Sequence, residues 1–198
     1  MNDKEEDVIY SFKIVIVGGP GVGKTCLFNR ICFNSFSFDT SMTIGINFHS
    51  IKLPIKHINE SSTYYEKYIV NLIYELGGQE RFKILVPKFL RGADGALLVF
   101  DLTDFNSLKE LEFWNEQLKL YSNKTQITKV LVGSKCDLLE NGIGANSVRE
   151  TAIREYQKKL GIDTFFRTSA LKNSNIVEMF KILNNLMLAK QEFPYILL

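Results

Sequence analysis

Between an aliphatic run, Phe12 to Val17, and an amphipathic stretch that begins at Lys24 lies Gly18-Gly19-Pro20-Gly21-Val22-Gly23-Lys24-Thr25, which fits Gly-x-x-x-x-Gly-Lys-Thr. The pattern restricts the fold because it requires a buried strand before it and a helix after it. Glycine lets the backbone curl close enough to aim successive N–H groups at phosphate oxygens. The following helix adds the partial positive charge of its N-terminus. Lys24 then reads as the cation for β- and γ-phosphates, and Thr25 as a hydroxyl for Mg²⁺. The pattern alone leaves open which nucleotide binds and whether the phosphate passes to water or to another acceptor.

From Lys13 onward short apolar runs alternate with amphipathic segments, which is how a sheet wound with crossover helices is written in sequence. The class is therefore α/β. Phe12 to Val17, Ala96 to Phe100 and Lys129 to Val132 are compact enough to be strands buried on both faces. Leu108, Leu111, Trp114, Leu118 and Tyr121 form one helical stripe; Val148, Ala152, Ile153, Tyr156 and Leu160 form a second, stopped by Gly161. A third runs through Ile176, Val177, Phe180, Leu183 and Met187. These stripes read as core. Phe48 to Leu53 and Lys67 to Tyr74 read as an antiparallel hairpin whose polar tip contains Pro54, Asn59, Glu60, Ser61 and Ser62.

With 198 residues, 45% of them hydrophobic, the chain has material for one core rather than two. A formal charge of +2, without a long basic block, speaks against a nucleic-acid footprint. The acidic start, Asp3 to Asp7, reads as a solvated tail. Three scattered cysteines, Cys26, Cys32 and Cys136, suit a reducing compartment. No apolar stretch is long enough to span a bilayer, residue 2 is Asn2 rather than Gly, and the last six residues, Phe193 to Leu198, hold no cysteine for prenylation. The expectation is a cytoplasmic monomer without a visible lipid anchor, reaching membranes only peripherally through partners.

Further along stand Tyr74-Glu75-Leu76-Gly77-Gly78-Gln79-Glu80-Arg81-Phe82, then Gly133-Ser134-Lys135-Cys136-Asp137, then Thr168-Ser169-Ala170. Singly, Lys135 and Asp137 read equally as a solvated pair after a strand, Ser169-Ala170 as a helix cap, and Phe36 as a core aromatic. In this order, behind such a phosphate loop, the chain resembles small GTPases of the Ras superfamily from about Phe12 to Ala189. It is most similar to Rab proteins, whose first switch resembles Thr43-Ile44-Gly45-Ile46-Asn47-Phe48 and whose second switch and exit resemble Gln79 to Phe82 and Arg91-Gly92-Ala93.

The resemblance implies a P-loop, small G-protein fold with a six-stranded, mostly parallel mixed sheet flanked by helices. It places a tail at 1–11, the GTP-binding domain at 12–190 and a short tail at 191–198. It implies a molecular switch that binds GTP and GDP with Mg²⁺ and hydrolyses GTP slowly. Gly21, Val22, Gly23, Lys24, Thr25 and Cys26 would hold the phosphates, and Thr25, Thr43 and Glu75 the metal. Thr43 and Gly78 would also donate backbone N–H groups to the γ-phosphate, while Gln79 orients the attacking water. Phe36, Ser134, Lys135, Asp137, Ser169, Ala170 and Leu171 would surround the base, with Asp137 accepting from the guanine N1–H and exocyclic amine. Phe48, Tyr74 and Phe89 stand where Rab proteins contact effectors, and activating and exchange proteins are expected as further partners.

Four departures qualify the analogy. Glu75 replaces the usual aspartate; Ser134 replaces an asparagine that ties the base loop to the phosphate loop; Pro20 stands close to where Gln79 must act. The hairpin tip between Pro54 and Glu66 is longer than in typical Rab proteins. Two competing functions follow: an interaction module that binds nucleotide with negligible hydrolysis, and a P-loop nucleotide kinase, which would leave the Ser134 to Asp137 segment and Ser169-Ala170 without a role.

Overall fold

The computed structural model describes residues 7–38, 43–59, 67–79, 86–122, 127–140 and 147–197. Expectations that rest on Asp3 to Glu6, on Glu80, Arg81 and Phe82, or on the hairpin tip from Glu60 to Glu66 lie outside these residues. The strands are β1 (Asp7–Val17), β2 (Ile46–His57), β3 (Lys67–Leu76), β4 (Gly95–Asp101), β5 (Thr128–Ser134), β6 (Phe165–Arg167) and β7 (Tyr195–Leu197). The helices are α1 (Lys24–Phe33), α2 (Val86–Leu90), α3 (Phe105–Lys109), α4 (Leu111–Tyr121), α5 (Cys136–Glu140), α6 (Glu150–Leu160) and α7 (Ile176–Lys190). The strands form one sheet in the order β6-β5-β4-β1-β3-β2-β7. All neighbours are parallel except β2, which runs antiparallel to both β3 and β7. Strand order reverses at β1, so the crevice for a ligand opens at the carboxyl ends of β1, β3 and β4.

The period-two alternation of a strand divides β1 between two layers. Phe12, Ile14 and Ile16 pack with Leu27 and Phe28 of α1 and with Met179, Leu183 and Met187 of α7. Val15 and Val17 pack on the opposite face with Leu90 of α2, Leu108 of α3, Trp114 and Leu118 of α4, and Ile153 of α6. Each such side chain, when fully buried, contributes about 1.5–3 kcal/mol, so the two layers together clamp the strand that leads into the glycine loop. One polar pair lies inside the first layer. Asn71 Nδ2 donates to Asn184 Oδ1 at 2.7 Å, and Asn184 Nδ2 to the Phe180 carbonyl at 2.9 Å. Asn71 Oδ1 has no hydrogen-bond partner among the described residues.

The helical stripes face the core as their spacing requires, although Ala152 and Tyr156 of α6 are only half-buried and two residues are exposed. Tyr121, at the end of α4, is partly exposed, and Val177 is 72% exposed because it lies one residue off the Ile176, Phe180, Leu183 and Met187 row. Gly161 ends α6 with a left-handed φ of 65° and an N–H to the Lys158 carbonyl.

The sheet has seven strands, not six, and the two tails are shorter than expected. Asp7 to Ser11 belong to β1 and pair with the first half of β3, with a register shift between Val8 and Tyr10. Their mixed Tyr-Ser composition gave no aliphatic run, but Tyr10 packs against Phe12 and Phe193. At the other end β7 pairs with Ile55–His57 of β2. It is held there by Leu197 N–H to Asn185 Oδ1 at 2.7 Å and Lys67 Nζ to Tyr195 Oη at 2.7 Å. A three-residue strand carries no periodicity of its own; it forms because β2 offers an open edge. Strand β2 also runs through Pro54 rather than ending before it. Gly77 N–H bonds the Gly45 carbonyl, whereas Ile58 N–H bonds the Pro194 carbonyl, so even-numbered positions of β2 face away from β3. The missing N–H of Pro54 therefore costs no β2–β3 ladder bond.

Candidate functional site

Strand β1 ends at Val17 and delivers the loop to the crevice. At Gly18, φ is 149° and a Cβ would lie 2.1 Å from the Val99 carbonyl oxygen, so only glycine lets the loop cross β4 this closely. Helix α1 then starts without a side-chain cap at Gly23. The first N–H groups of a helix have no intrahelical partners, and the dipole favours an anion there. Lys24 is buried beside them, and its Nζ donates to the Gly19 carbonyl at 2.6 Å. Burial pulls its pKa down to about 8, against the opposing pull of Glu75 and Glu110.

Three oxygens converge next to this lysine. Thr25 Oγ1 lies 2.9 Å from Thr43 Oγ1 and donates to Glu75 Oε1 at 2.5 Å; Thr43 Oγ1 is 3.3 Å from the same carboxylate oxygen. Asn47 Nδ2 holds the other oxygen, Glu75 Oε2, at 2.7 Å, and Glu75 is fully buried. Adjacent ligands of an octahedral Mg²⁺ at about 2.0–2.1 Å lie about 2.9 Å apart, and the separations of 2.5, 2.9 and 3.3 Å among these two hydroxyls and the carboxylate bracket that value, so the donor set fits the ion. Among the described residues no group of three His, Cys, Asp or Glu forms a metal cage. One carboxylate with two hydroxyls suits a cation that takes its remaining ligands from phosphate and water. The extra methylene of Glu75 relative to aspartate is accommodated with its carboxylate still on both threonines.

On the other side, Lys135 Nζ pairs with Asp101 Oδ2 at 2.6 Å, and Asp137 Oδ1 accepts from Ser169 Oγ at 2.5 Å. Ser169 is itself fixed, its Oγ accepting the Lys172 N–H and its backbone bridging to Ser174. Ser134 Oγ lies 2.6 Å from the Val22 carbonyl and 2.9 Å from that of Phe100. The link between base loop and phosphate loop that was expected to be lost with asparagine is thus supplied by a hydroxyl.

A cleft of about 410 Å³ joins the two sides. Gly21, Gly23, Lys24, Thr25, Cys26, Phe36, Thr43, Glu75, Gly78, Gln79, Ser134, Lys135, Asp137, Ala170 and Leu171 all line it. Val22 and Ser169 stand behind the wall, Val22 in the core and Ser169 against Asp137. Gly78 rests directly on the glycine loop: a Cβ there would come within 2.6 Å of the Gly19 carbonyl carbon and the Pro20 nitrogen. Pro20 also lines the cleft. Outside it, Phe48, Tyr74 and Phe89 form a surface row with ring centroids 4.8 and 6.2 Å apart.

Sequence patterns did not single out Arg30, Asn47 or Asp101, which bond the Ala170 carbonyl, Glu75 and Lys135, nor Glu110, whose charge acts on Lys24. Asp101 alone had a positional signal, at the carboxyl end of a central parallel strand. Among the described residues no helix is long and apolar enough to cross a membrane.

The chain matches the model of the Ras family over residues 13–189. It is 32% identical to "Ras-related protein Rab11A" of Lotus japonicus, an alignment covering 96% of this chain and 81% of that one. It is 35% identical to "Ras-related protein RABA5e" of Arabidopsis thaliana, covering 91% and 76%. It is 32% identical to "GTP-binding protein YPTM1" of Zea mays, covering 86% and 75%.

Proposed function

Since the chain belongs to the Ras family and is a Rab-type small GTPase of the Ras superfamily, we propose that its cleft binds GTP and GDP with Mg²⁺ and that GTP hydrolysis resets two switch segments. The observation that carries this reading is the convergence of Thr25, Thr43 and Glu75 beside buried Lys24, at the mouth of the glycine loop. The loop N–H groups and Lys24 hold the phosphates. Thr25, Thr43 and Glu75 hold Mg²⁺, which when bound neutralises charge on the β- and γ-phosphate oxygens. Asp137, oriented by Ser169, accepts from the guanine N1–H and exocyclic amine. Adenine offers neither donor and would leave the carboxylate unpaired. Lys135, tethered by Asp101, lays its stem along the base, and the Ala170 N–H meets guanine O6.

In the reaction, water attacks the γ-phosphorus, the bond to the β–γ bridging oxygen breaks, and the products are GDP and inorganic phosphate. Gln79 orients the water and the Gly78 N–H binds a γ-phosphate oxygen. Loss of the γ-phosphate removes the tethers at Thr43 and Gly78, so that the backbone at these two positions relaxes. Partners read the GTP-bound arrangement through the Phe48, Tyr74 and Phe89 row, in Rab-like membrane traffic. No arginine lies between Phe36 and Thr43, so intrinsic turnover is slow. An activating protein that inserts one accelerates the step by roughly 10³ to 10⁵.

The test is binding of GTP, GDP and ATP in Mg²⁺ together with time-resolved phosphate release, for the native chain and Gln79→Leu. Guanine preference with slow release, abolished by Gln79→Leu, is the expected result. Preference for ATP overturns the reading. Tight GTP binding with no release from the native chain supports the interaction-module alternative instead.

A further inference from the structure

We infer that Asn47 is the positioning residue that makes the metal site selective for Mg²⁺ over Ca²⁺, by leaving a single oxygen of Glu75 for the ion. This rests on the proposal that Thr25, Thr43 and Glu75 hold Mg²⁺. Asn47 stands directly opposite Glu75 in the β2–β3 ladder, so the two side chains share a face of the sheet. Its Nδ2 donates to Glu75 Oε2 at 2.7 Å, while Oε1 accepts from Thr25 Oγ1 at 2.5 Å and lies 3.3 Å from Thr43 Oγ1. The two oxygens of this fully buried carboxylate therefore have separate roles. One faces the hydroxyls of the ion site, and the other is tied to the neighbouring strand. An ionised carboxylate only accepts, so the amide can turn only its NH₂ toward it.

Ca²⁺ takes about six to eight oxygens at about 2.3–2.6 Å and accepts both oxygens of one carboxylate, whereas Mg²⁺ demands a near-ideal octahedron at about 2.0–2.1 Å. The two oxygens of one carboxylate sit too close together to fill adjacent corners of that octahedron. A carboxylate confined to one oxygen therefore suits Mg²⁺ and deprives Ca²⁺ of a ligand. Glutamate needs this restraint more than aspartate does, because its additional rotatable bond lets the carboxylate swing both oxygens toward an ion. Asn47 is itself held on both sides. Ile46 pairs with Leu76 and Phe48 with Tyr74, and beyond the strand end the Gly77 N–H bonds the Gly45 carbonyl. Its hold on Glu75 does not pass through Thr43, so it serves the GDP-bound chain as well. A lysine here would neutralise the carboxylate and an aspartate would repel it; the neutral amide orients Glu75 and leaves its charge for the cation.

The test is release of a fluorescent GDP analogue, chased with excess GDP over a range of Mg²⁺ or Ca²⁺ concentrations, for the native chain, Asn47→Leu and Asn47→Ala. The readout is the concentration of each metal that half-saturates the slowing of release, and no hydrolysis is involved. The native chain is expected to be half-saturated at a lower concentration of Mg²⁺ than of Ca²⁺. Removing the hydrogen-bond partner of a metal-binding side chain weakens metal affinity by roughly 10- to 100-fold. Both variants should show that loss for Mg²⁺, with Ca²⁺ weakened much less or strengthened, so that the preference for Mg²⁺ falls by about tenfold or more. If Asn47 only braces the hairpin, both metals weaken alike and their ratio stays at the native value; that result, like unchanged half-saturation for both metals, overturns the inference. So does a native chain that binds Ca²⁺ as well as Mg²⁺ or better. Release that neither metal slows in the native chain overturns the metal-site reading beneath it. Should Asn47→Leu fail to fold, Asn47→Ala, which removes the amide without adding bulk, decides the matter.

Discussion

Replacing Ser134 by alanine removes a buried hydroxyl that joins the last residue of β5 to the glycine loop. Its single proton is shared between the Val22 carbonyl at 2.6 Å and the Phe100 carbonyl at 2.9 Å, with the shorter contact to Val22. Ser134 is 6% exposed, so water does not readily replace the lost donor. Leaving a buried acceptor unsatisfied costs about 1–3 kcal/mol. At 1.4 kcal/mol per decade, that is about a 5- to 150-fold effect if the whole cost falls on the nucleotide-bound state. Val22 belongs to the loop proposed to wrap the phosphates, so the expected outcome is faster GDP dissociation within that range. Dissociation is read by chasing a fluorescent GDP analogue with excess GDP in Mg²⁺, alongside thermal unfolding of the same samples. Ser134→Asn, which restores an amide donor, should return the slow rate. If Ser134→Ala lowers the melting temperature while leaving dissociation within twofold of native, the hydroxyl is only a core hydrogen bond and the proposed coupling between the loops is wrong.

Gly78→Ala places a Cβ 2.6–2.8 Å from backbone atoms of Gly18, Gly19 and Pro20, none of which can rotate away. Overpacking of this kind costs about 1–3 kcal/mol, and the affinity ratio of GTP to GDP should fall because the γ-phosphate contact is displaced; an unchanged ratio rejects that contact. Lys24, with its pKa lowered to about 8, should take up a proton when phosphate binds above that pH. Affinity is then flat below pH 8 and declines as pH rises, by at most tenfold per unit, and calorimetry at pH 8.5 in buffers of different ionisation enthalpy should show the uptake. In the ligand-free chain the sign reverses for stability: between about 8 and 10.5 the unfolded state binds the extra proton, so the contribution of this group to stability rises with pH. Asn184→Leu alone strands the Asn71 amide in an apolar layer and should cost about 1–3 kcal/mol in urea unfolding, whereas adding Asn71→Leu should recover most of it; a double variant as unstable as the single one refutes this account.

The sequence by itself determined which local runs line the cleft and the order in which they come. Gly18 to Thr25, Glu75 to Gln79, Ser134 to Asp137 and Ser169-Ala170 are local runs, and local runs are legible because each is constrained by the backbone geometry or ligand contact of its own few residues. The central strands were legible too, since burial on both faces demands an unbroken aliphatic run. Only the tertiary structure decided what depends on partners far along the chain. Strand β7 exists because β2 leaves an edge open, and Asp7 to Ser11 join β1 because β3 extends far enough to pair with them. Ser134 had the wrong residue type for its expected contact, yet the fold brings its hydroxyl to the Val22 carbonyl across 112 positions. Arg30 carried no signal at all, since its partners Ala170 and Leu171 are carbonyl groups, and a backbone oxygen looks the same in every sequence.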